Sequence, residues 1–289
     1  MKNISIVLPA RNEATSLETL LPALKSLVAD AEIIVVNDGS TDNTSEIVTE
    51  SGVILIDHPY SMGNGAAIKA GARAATSNTI LFMDADGQHD PGDVPRLIEK
   101  FKEGYDMVVG ARDPRSHASL LRRAANRFYN QLASLMTGFK VEDLTSGFRI
   151  VDARKFKQFL YLLPNGFSYP TTSTMAFFRS GFVVGYIPVK AATRVGKSKI
   201  RIIHDGFRFL LIIMKIGALF SPMRLFVPVS FTLFSIGAIY YAYTYYYFHQ
   251  FTNMSAVLFL SSLLIFLIGI VSEQVSSLHY RWHQEDNDD

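Results

Sequence analysis

A long uncharged run near the C-terminus constrains this chain more than any other feature. Between Leu225 and Ser272 there is no Lys, Arg, Asp or Glu, and only a polar patch at 249–253 interrupts the apolar residues. Because one helix needs about 20 apolar residues to cross a bilayer, the run predicts two membrane spans, near 225–247 and 255–273. The alternative, two buried helices of a soluble protein, is disfavoured by the length of the run.

The charge distribution predicts the orientation of these spans. The net charge is only +2, but residues 190–224 carry eight Lys or Arg against one acid, Asp205, and the loop between the spans has no Lys or Arg. The positive-inside rule therefore places residues 1–224 and the C-terminal tail in the cytoplasm. The N-terminus has too short an apolar run for a signal peptide. The absence of Cys excludes disulfides and thiol chemistry, and we expect no nucleic-acid partner.

The first part of the chain alternates short β-branched runs with amphipathic helical stretches, which predicts a parallel α/β sheet. Further helices and one more strand-like run follow. The predicted strands are 4–8, 32–36, 53–56, 79–83, 107–109 and 183–188, and the predicted helices are 14–28, 41–50, 65–75, 92–102, 120–136 and 153–162.

The domain organisation follows from these patterns. Residues 1–198 are predicted to form a cytoplasmic α/β domain, 199–222 a juxtamembrane amphipathic helix, 223–275 two transmembrane helices and 276–289 a polar cytoplasmic tail. The helix near 199–220 carries apolar residues on one side and basic residues around it. It would lie in the membrane interface, or alternatively pack on the α/β domain as an ordinary helix.

Oxygen-bearing side chains follow the predicted strands at their carboxyl ends, where an open α/β sheet binds its ligands. Asp84, Asp86 and Gln88 come directly after the apolar strand at 79–83, and two-residue spacing in an extended segment would place them on one side. Such oxygens suit a hard divalent cation and the diphosphate that it would hold. His89 follows them, and we interpret it as incidental rather than as a ligand or base.

Two earlier strand ends would frame the same pocket. Asp38 follows the second strand and can accept a hydrogen bond from a nucleobase N–H, although taken alone it would be interpreted as a turn or capping residue. Pro9 and Glu13 lie at the end of the first strand. Residues 62–66 add glycine-rich backbone before a helix at this edge.

Six motifs, in this order and followed by two spans, resemble family 2 glycosyltransferases of the polyisoprenyl-phosphate type, such as dolichol-phosphate mannose synthases and undecaprenyl-phosphate glucosyltransferases. The resemblance covers nearly the whole chain. It implies a GT-A (Rossmann-like) fold, a nucleotide-sugar donor, a divalent metal and a polyisoprenyl-phosphate acceptor. The motifs are Pro9-Ala10-Arg11-Asn12-Glu13, Val36-Asn37-Asp38-Gly39-Ser40, Asp84-Ala85-Asp86 with Gln88, Gly110-Ala111-Arg112, Ser146-Gly147-Phe148-Arg149 and Arg194-Val195-Gly196-Lys197-Ser198-Lys199.

The resemblance also assigns roles at the donor site. Asp86 and Gln88 would bind Mg2+ or Mn2+ directly, and Asp84 would contact the nucleotide ribose or the waters of the metal. Asn37 stands where many relatives carry a first Asp. The second Asp, Asp38, is the one that resembles the base-binding residue.

Cations matter more than bases for such a reaction, because a lipid phosphate is already anionic. Bringing it to an anionic donor costs about 4 kcal/mol per unit charge pair at ~4 Å and an effective dielectric constant near 20. The candidates that would offset this repulsion at the acceptor phosphate are Arg112, Arg123 or its neighbour Arg122, Arg194, and in support Lys197 and Lys199.

The Ser146–Arg149 motif is expected under the sugar or acceptor site. By resemblance Ser146 would touch the acceptor phosphate and Asp143 would lie near the sugar. For Arg149 we favour a structural salt bridge with Glu142 or Asp143.

The sequence therefore predicts an enzyme that transfers one hexose, with inversion, from a UDP- or GDP-sugar to an undecaprenyl or dolichyl phosphate at the cytoplasmic membrane face. One alternative is a polysaccharide synthase. Those enzymes carry a Gln-x-x-Arg-Trp motif before their channel helices, whereas Arg281-Trp282 follows both spans here and Leu278 replaces the Gln. The other alternative is a membrane scaffold without activity. Small residues such as Ser235 and Gly237 would allow the spans to self-associate.

Overall fold

The structure is a computed structural model that describes residues 4–112, 120–166, 168–190, 211, 213–215, 217–219 and 221–285, without the side chains of 120–122 and 277–285. The chain divides into two compact units. The first contains residues 1–131 and 140–210, and the second contains Leu132–Phe139 and Leu211–Asp289.

A seven-stranded mixed sheet forms the centre of the first unit, in the order β3-β2-β1-β4-β6-β5-β7. All strands run parallel except β6, which is antiparallel to both of its neighbours. The strands are β1 (Ser5–Ala10), β2 (Glu32–Asn37), β3 (Ile54–Asp57), β4 (Thr79–Phe82), β5 (Met107–Arg112), β6 (Arg149–Asp152) and β7 (Val184–Val189).

The helices pack on this sheet through apolar faces. In α1, for example, Leu17, Leu21 and Leu24 are buried against the sheet residues Ile6 and Leu8 in one core cluster. The helices are α1 (Ala14–Leu27), α2 (Thr44–Glu50), α3 (Asn64–Ala74), α4 (Val94–Lys102), α5 (Leu120–Thr137), α6 (Ala153–Lys157) and α7 (Tyr169–Arg179), and a 3-10 turn covers Pro91–Asp93.

The strands predicted in the first part of the chain, β1 to β5, are parallel as expected, but two predicted helices needed correction and one strand was missed. The missed strand is β6, which enters between β4 and β5 in the opposite direction. The helix expected from residue 41 begins at Thr44, since the Asp42 carboxylate accepts hydrogen bonds from the amide and hydroxyl of Thr44 and holds the preceding turn. The helix expected over 153–162 ends at Lys157 and continues only as turns.

The second unit contains two long helices, α8 (Pro222–Phe248) and α9 (Asn253–Glu285). Pro222–Phe248 and Asn253–Ser276 are long and apolar enough to cross a membrane. The helical segment continues to Glu285, so the backbone of the expected polar tail from residue 276 is largely helical. The domain boundaries themselves stay a prediction. Most of the expected 199–222 helix lies outside the described residues, although those described between 211 and 219 are helical.

Small residues and paired hydroxyls join the two long helices. Ser230 Oγ donates to the carbonyl of Ser262 at 2.9 Å, and Ser262 Oγ donates to the carbonyl of Ser230 at the same distance. A Cβ on Gly237 would lie 3.1 Å from Leu258, so this glycine permits close approach of the helices. The hydroxyls have partners inside the hairpin, as buried polar groups in a lipid environment require.

Candidate functional site

Candidate site residues from four strand ends lie at one edge of the sheet. The carboxyl ends of β1, β2, β4 and β5 are parallel and therefore lie at the same edge, and the antiparallel β6 brings its amino end there. Pro9 lies near the end of β1, Asp38 follows β2, Asp84 follows β4, and Arg112 ends β5. This edge is the candidate site.

The acidic segment after β4 bends instead of continuing as a strand. β4 ends at Phe82, Gly87 has a φ of +70°, and the amide of Gln88 donates to Asp86 Oδ1 at 3.2 Å. The expectation that simple alternation carries Asp84, Asp86 and Gln88 along one side of an extended segment is therefore wrong. All three side chains are nevertheless partly exposed at the sheet edge.

These residues fit a hard cation with an incomplete protein ligand set. Among the described residues no three His, Asp or Glu side chains gather into a metal cluster. Two carboxylates and an amide oxygen remain, and Asp86 and Gln88 are joined by a tight turn. This composition suits a Mg2+- or Mn2+-like ion, which takes one or two carboxylates and completes its shell with water and substrate phosphates.

His89 turns away from this surface into the core. It is only 6% exposed and stacks on Phe148 with ring centroids 5.0 Å apart. Its Nε2 lies 3.9 Å from Asp84 Oδ2, and its Nδ1 is buried without a hydrogen-bond partner among the described atoms. Burial lowers the pKa of His89 to about 4, against the partial opposition of Asp86, so the imidazole is neutral at physiological pH.

Asp38 anchors the loop that follows β3. Its Oδ1 accepts from His58 Nδ1 at 2.9 Å and from the Met62 amide at 2.8 Å, while Oδ2 accepts from Ser61 Oγ at 2.8 Å and from the Gly63 amide at 2.9 Å. Burial opposes ionisation of Asp38, but these hydrogen bonds outweigh it and lower the pKa. A nucleobase that bound Asp38 would have to share these oxygens or displace the loop.

The glycine-rich backbone at the start of α3 already forms hydrogen bonds with another loop of the protein. The amide of Gly65 donates to the carbonyl of Gly166 at 3.0 Å, and the amide of Ala66 donates to the carbonyl of Asn165 at 2.9 Å. A Cβ at position 65 would lie 1.9 Å from the Pro164 carbonyl oxygen, so only glycine fits there. The start of α3 therefore contacts the protein's own loop.

At the end of the first strand, Glu13 precedes α1. Its amide donates to Thr44 Oγ1 at 3.2 Å, and its carbonyl accepts from Leu17. Pro9 pairs in register with Val36 of β2. The structure thus brings Pro9, Glu13 and Asp38 to neighbouring strand ends, as the sequence predicts, while their contact with a nucleotide stays a prediction.

Arg112 forms a bidentate ion pair with Asp143. Nε donates to Oδ2 at 2.8 Å, Nη2 donates to Oδ1 at 3.0 Å, and Nη2 also donates to Thr145 Oγ1 at 2.6 Å. Burial opposes charge on both partners, yet their mutual attraction raises the pKa of Arg112 and lowers that of Asp143. Among the described residues, no hydrogen-bond partner is seen for Nη1.

The expected salt bridge of Arg149 with Glu142 or Asp143 is wrong, because Asp143 pairs with Arg112 and Glu142 pairs with Lys140. Arg149 is fully buried, and its hydrogen bonds to the described residues go to neutral groups. Nε donates to the Ser146 carbonyl at 3.2 Å, and Nη1 donates to the Pro170 carbonyl at 3.0 Å and Ser173 Oγ at 2.8 Å. Sequence reasoning missed this role, since nothing in the motif distinguishes a buried arginine from an exposed one.

The remaining acceptor-side candidates are only partly described. Ser146 Oγ is buried without a hydrogen-bond partner among the described atoms, and Arg123 is exposed on α5. The side chain of Arg122 and all of Arg194, Lys197 and Lys199 lie outside the described residues. Their expected contacts with a phosphate stay predictions.

Solved structures with the same fold come from glucosyl-3-phosphoglycerate synthase of Mycobacterium tuberculosis. Its complex with Mn2+, UDP and glucosyl-3-phosphoglycerate matches with a TM-score of 0.61 at 20% identity, over 75% of this chain and 80% of that one. Its complex with Mn2+ and UDP-glucose matches with a TM-score of 0.61 at 21% identity, over 75% and 79%. At this identity the likeness establishes the GT-A type of fold.

Sequence relatives share more identical residues with this chain than these solved structures do. An undecaprenyl-phosphate 4-deoxy-4-formamido-L-arabinose transferase of Pseudomonas fluorescens (strain SBW25) is 31% identical over 82% of this chain and 71% of its own length. The protein of the same name from Yersinia enterocolitica is 35% identical over 60% of this chain, but the match covers only 58% of that protein.

Two family profiles match separate parts of the chain. The profile of the GtrB C-terminal hairpin matches residues 221–278, which contain α8 and most of α9. The profile described as glycosyl transferase family 2 matches residues 5–160, which contain the strands from β1 to β6 and their acidic edge. The chain belongs to glycosyltransferase family 2.

Proposed function

We propose that this glycosyltransferase transfers a single hexose, with inversion, from a UDP- or GDP-sugar to a polyisoprenyl phosphate such as undecaprenyl or dolichyl phosphate. One observation carries the proposal: a family 2 catalytic fold and a GtrB-type apolar hairpin occur in the same chain. A membrane hairpin is of use to an enzyme whose acceptor is held in the bilayer, and the names of the relatives point to the same acceptor class.

At the donor, Asp86 and Gln88 would hold Mg2+ or Mn2+, and Asp84 would contact the ribose or the waters of the metal. The bound cation would neutralise charge on the departing diphosphate. Pro9, Glu13 and Asp38 would line the nucleotide pocket. Because Asp38 already holds residues 58–63, it would shape this pocket through the loop as well as through direct contact.

At the acceptor, the protein needs cations and no strong base, because the phosphate nucleophile is already ionised. The acceptor phosphate would be positioned by a set of hydrogen-bond donors and cations. These are Arg112 Nη1, Ser146 Oγ, Arg123 or Arg122, Arg194, Lys197 and Lys199. The phosphate oxygen would attack the anomeric carbon opposite the leaving nucleoside diphosphate. An α-linked donor would therefore give a β-linked lipid phosphate sugar without a covalent enzyme intermediate.

A donor panel tests the proposal. The full chain in lipid nanodiscs would be given UDP- and GDP-sugars with undecaprenyl or dolichyl phosphate and Mg2+ or Mn2+, and the lipid product weighed by mass spectrometry. We expect one hexosyl lipid phosphate with one preferred donor, and none in EDTA. Folded protein that yields no lipid-linked sugar from any donor would contradict the proposed function. Product longer than one sugar would favour the polysaccharide synthase.

The cytoplasmic orientation of the catalytic domain is part of the proposal. It rests on the basic residues before α8 and the absence of Lys and Arg from the loop between the long helices. The chain has no Cys, so a single introduced cysteine is the only thiol that a maleimide can label. In intact cells, Gln250→Cys should react with a membrane-impermeant maleimide and Asp30→Cys should not. The reverse labelling pattern would contradict this orientation.

A further inference from the structure

The backbone of Gly147 lies directly against the Asp84 carboxylate. A Cβ at position 147 would be 2.6 Å from Asp84 Oδ2 and 3.2 Å from Oδ1. Because 2.6 Å is shorter than an ordinary van der Waals contact, a methyl group at this position would force the Asp84 carboxylate to shift. The position of this backbone therefore limits where the Asp84 carboxylate can point.

Two buried side chains hold that backbone from behind. The Tyr169 hydroxyl donates to the Gly147 carbonyl at 2.8 Å, and Tyr169 is 1% exposed. The Arg149 guanidinium donates to the preceding carbonyl, that of Ser146, through Nε at 3.2 Å and also through Nη2. Two successive carbonyls are thus fixed by donors that cannot move without repacking the core.

The same two side chains tie the loop to α7. Arg149 Nη1 donates to the Pro170 carbonyl at 3.0 Å and to Thr174 Oγ1 at 3.0 Å, both in the first turns of that helix. Tyr169 is the first residue of α7, and its ring packs edge-on against Phe82 at the end of β4. The loop, the helix and the strand that precedes Asp84 are therefore one packed assembly.

The protonation of Tyr169 and the burial of Arg149 favour lasting hydrogen bonds to the loop. Burial raises the pKa of Tyr169 far above its ordinary value, and the nearby Asp84 raises it further, so the phenol stays protonated and donates at every physiological pH. Burial lowers the pKa of the Arg149 guanidinium, while Tyr169, Tyr186, Asp143 and Asp84 partly oppose this shift. Its hydrogen bonds go to neutral groups that hold the side chain in place.

We propose that Tyr169 and Arg149 are positioning residues that clamp the Ser146–Gly147 backbone against Asp84 and so set the geometry of the cation and diphosphate site. The clamp acts through Asp84 and touches neither donor nor acceptor. It deepens the proposed function and rests on it for the identity of the ligand.

Gly147→Ala and Tyr169→Phe test the clamp in the full chain. The alanine methyl would displace the carboxylate, while the phenylalanine keeps the ring and removes only the hydroxyl that holds Gly147. Mn2+ binding would be followed by electron paramagnetic resonance, with Mn2+ alone and with Mn2+ and UDP or GDP. We expect Gly147→Ala to weaken Mn2+–nucleotide binding by about tenfold, as is typical for the loss of an outer-shell partner, and Tyr169→Phe to weaken it by less.

Matched controls separate positioning from stability. Gly166→Ala adds a methyl where nothing lies within 4 Å, and Tyr105→Phe removes a hydroxyl just before β5, at the opposite edge of the sheet. Neither should change Mn2+–nucleotide affinity. Melting temperatures would be recorded for all four variants, since a purely structural role for Tyr169 would lower the melting temperature and leave the affinity per folded molecule unchanged.

The outcomes distinguish the clamp from the proposed function. Affinities of Gly147→Ala and Tyr169→Phe within about twofold of wild type would overturn the clamp, as would a wild-type chain that binds no Mn2+. The binding measurement needs no acceptor. A wild-type chain that binds Mn2+ and nucleotide but makes no lipid-linked sugar would therefore count against the proposed acceptor and leave the clamp standing.

Discussion

The α/β unit and the apolar hairpin bury polar groups in different ways. In the α/β unit, charged groups are buried at the sheet edge: Arg149 is fully buried, and Arg112 pairs with the buried Asp143. In the hairpin, the buried pair between the helices consists of the neutral hydroxyls of Ser230 and Ser262. The first arrangement costs desolvation energy and the second costs little.

The difference shows at which positions the chain gives up folding stability. A buried ion pair contributes little net stability compared with apolar packing, but it fixes geometry. The α/β unit accepts this cost at the edge where Asp84 and Asp86 lie. The hairpin has no such edge, and its polar groups only join two helices.

The largest effect, on the rate of sugar transfer, is expected from a carboxylate that would bind the metal and contributes little to folding. Asp86→Ala should reduce sugar transfer on the order of 10³-fold, because loss of a metal ligand removes several kcal/mol of transition-state stabilisation. Asp86 is only partly buried in a bend, so the melting temperature in EDTA should not change. The assay is product formation by mass spectrometry, with the exposed Asp30→Ala as control. Near wild-type turnover of Asp86→Ala would remove this residue from the mechanism.

A smaller effect, on folding, is expected from the buried ion pair. Asp143→Ala should destabilise the protein by about 3–5 kcal/mol, because it leaves the Arg112 guanidinium buried without its carboxylate. Urea unfolding followed by far-UV circular dichroism would measure this loss of folding free energy. The double variant Arg112→Met/Asp143→Leu should recover much of the stability but not the activity.

The exposed pair of Lys140 and Glu142 provides the control for that experiment, since Lys140 is 83% exposed. Glu142→Ala should leave the free energy of unfolding unchanged. Equal losses in Asp143→Ala and Glu142→Ala would mean that burial does not distinguish the two pairs.

The smallest effect is expected in the hairpin. Ser230→Ala should cost about 0.6 kcal/mol, the average for interhelical hydrogen bonds in membranes, and Ser230→Ala/Ser262→Ala should cost less than twice that amount. Steric trapping in bicelles would measure it. Ser235→Ala is the matched control, because the Ser235 hydroxyl donates to the Phe231 carbonyl of its own helix. A loss of several kcal/mol in Ser230→Ala would mean that the hairpin depends on its polar pair as the α/β unit does.

Periodicity predicted most of the fold because it reports burial along one element at a time. The strands at 32–36 and 79–83 and the helix at 14–28 lie within a residue of their observed bounds. The direction of β6 could not be predicted in this way. Its neighbours are chosen by pairing with β4 and β5, and a single strand does not encode its partners.

The site was predicted less completely, for a similar reason. Asp84, Asp86, Gln88 and Asp38 are recognisable because each follows a strand. The partner of Arg112 is Asp143, 31 residues away in the chain, and the partner of Gly147 is the hydroxyl of Tyr169, 22 residues away. Such pairs depend on how loops fold back, which local patterns do not contain.

The adjacency of β5 and β6 has a consequence for how this architecture can diversify. Arg112 ends β5 and Arg149 begins the neighbouring antiparallel strand β6, so the chain leaves the sheet and re-enters it at the same edge. The entropic cost of lengthening such a connection is about 0.6 kcal/mol per doubling of its length. Evolution can therefore vary the length of this connection at little cost while the pairing of β1, β2 and β3 stays intact.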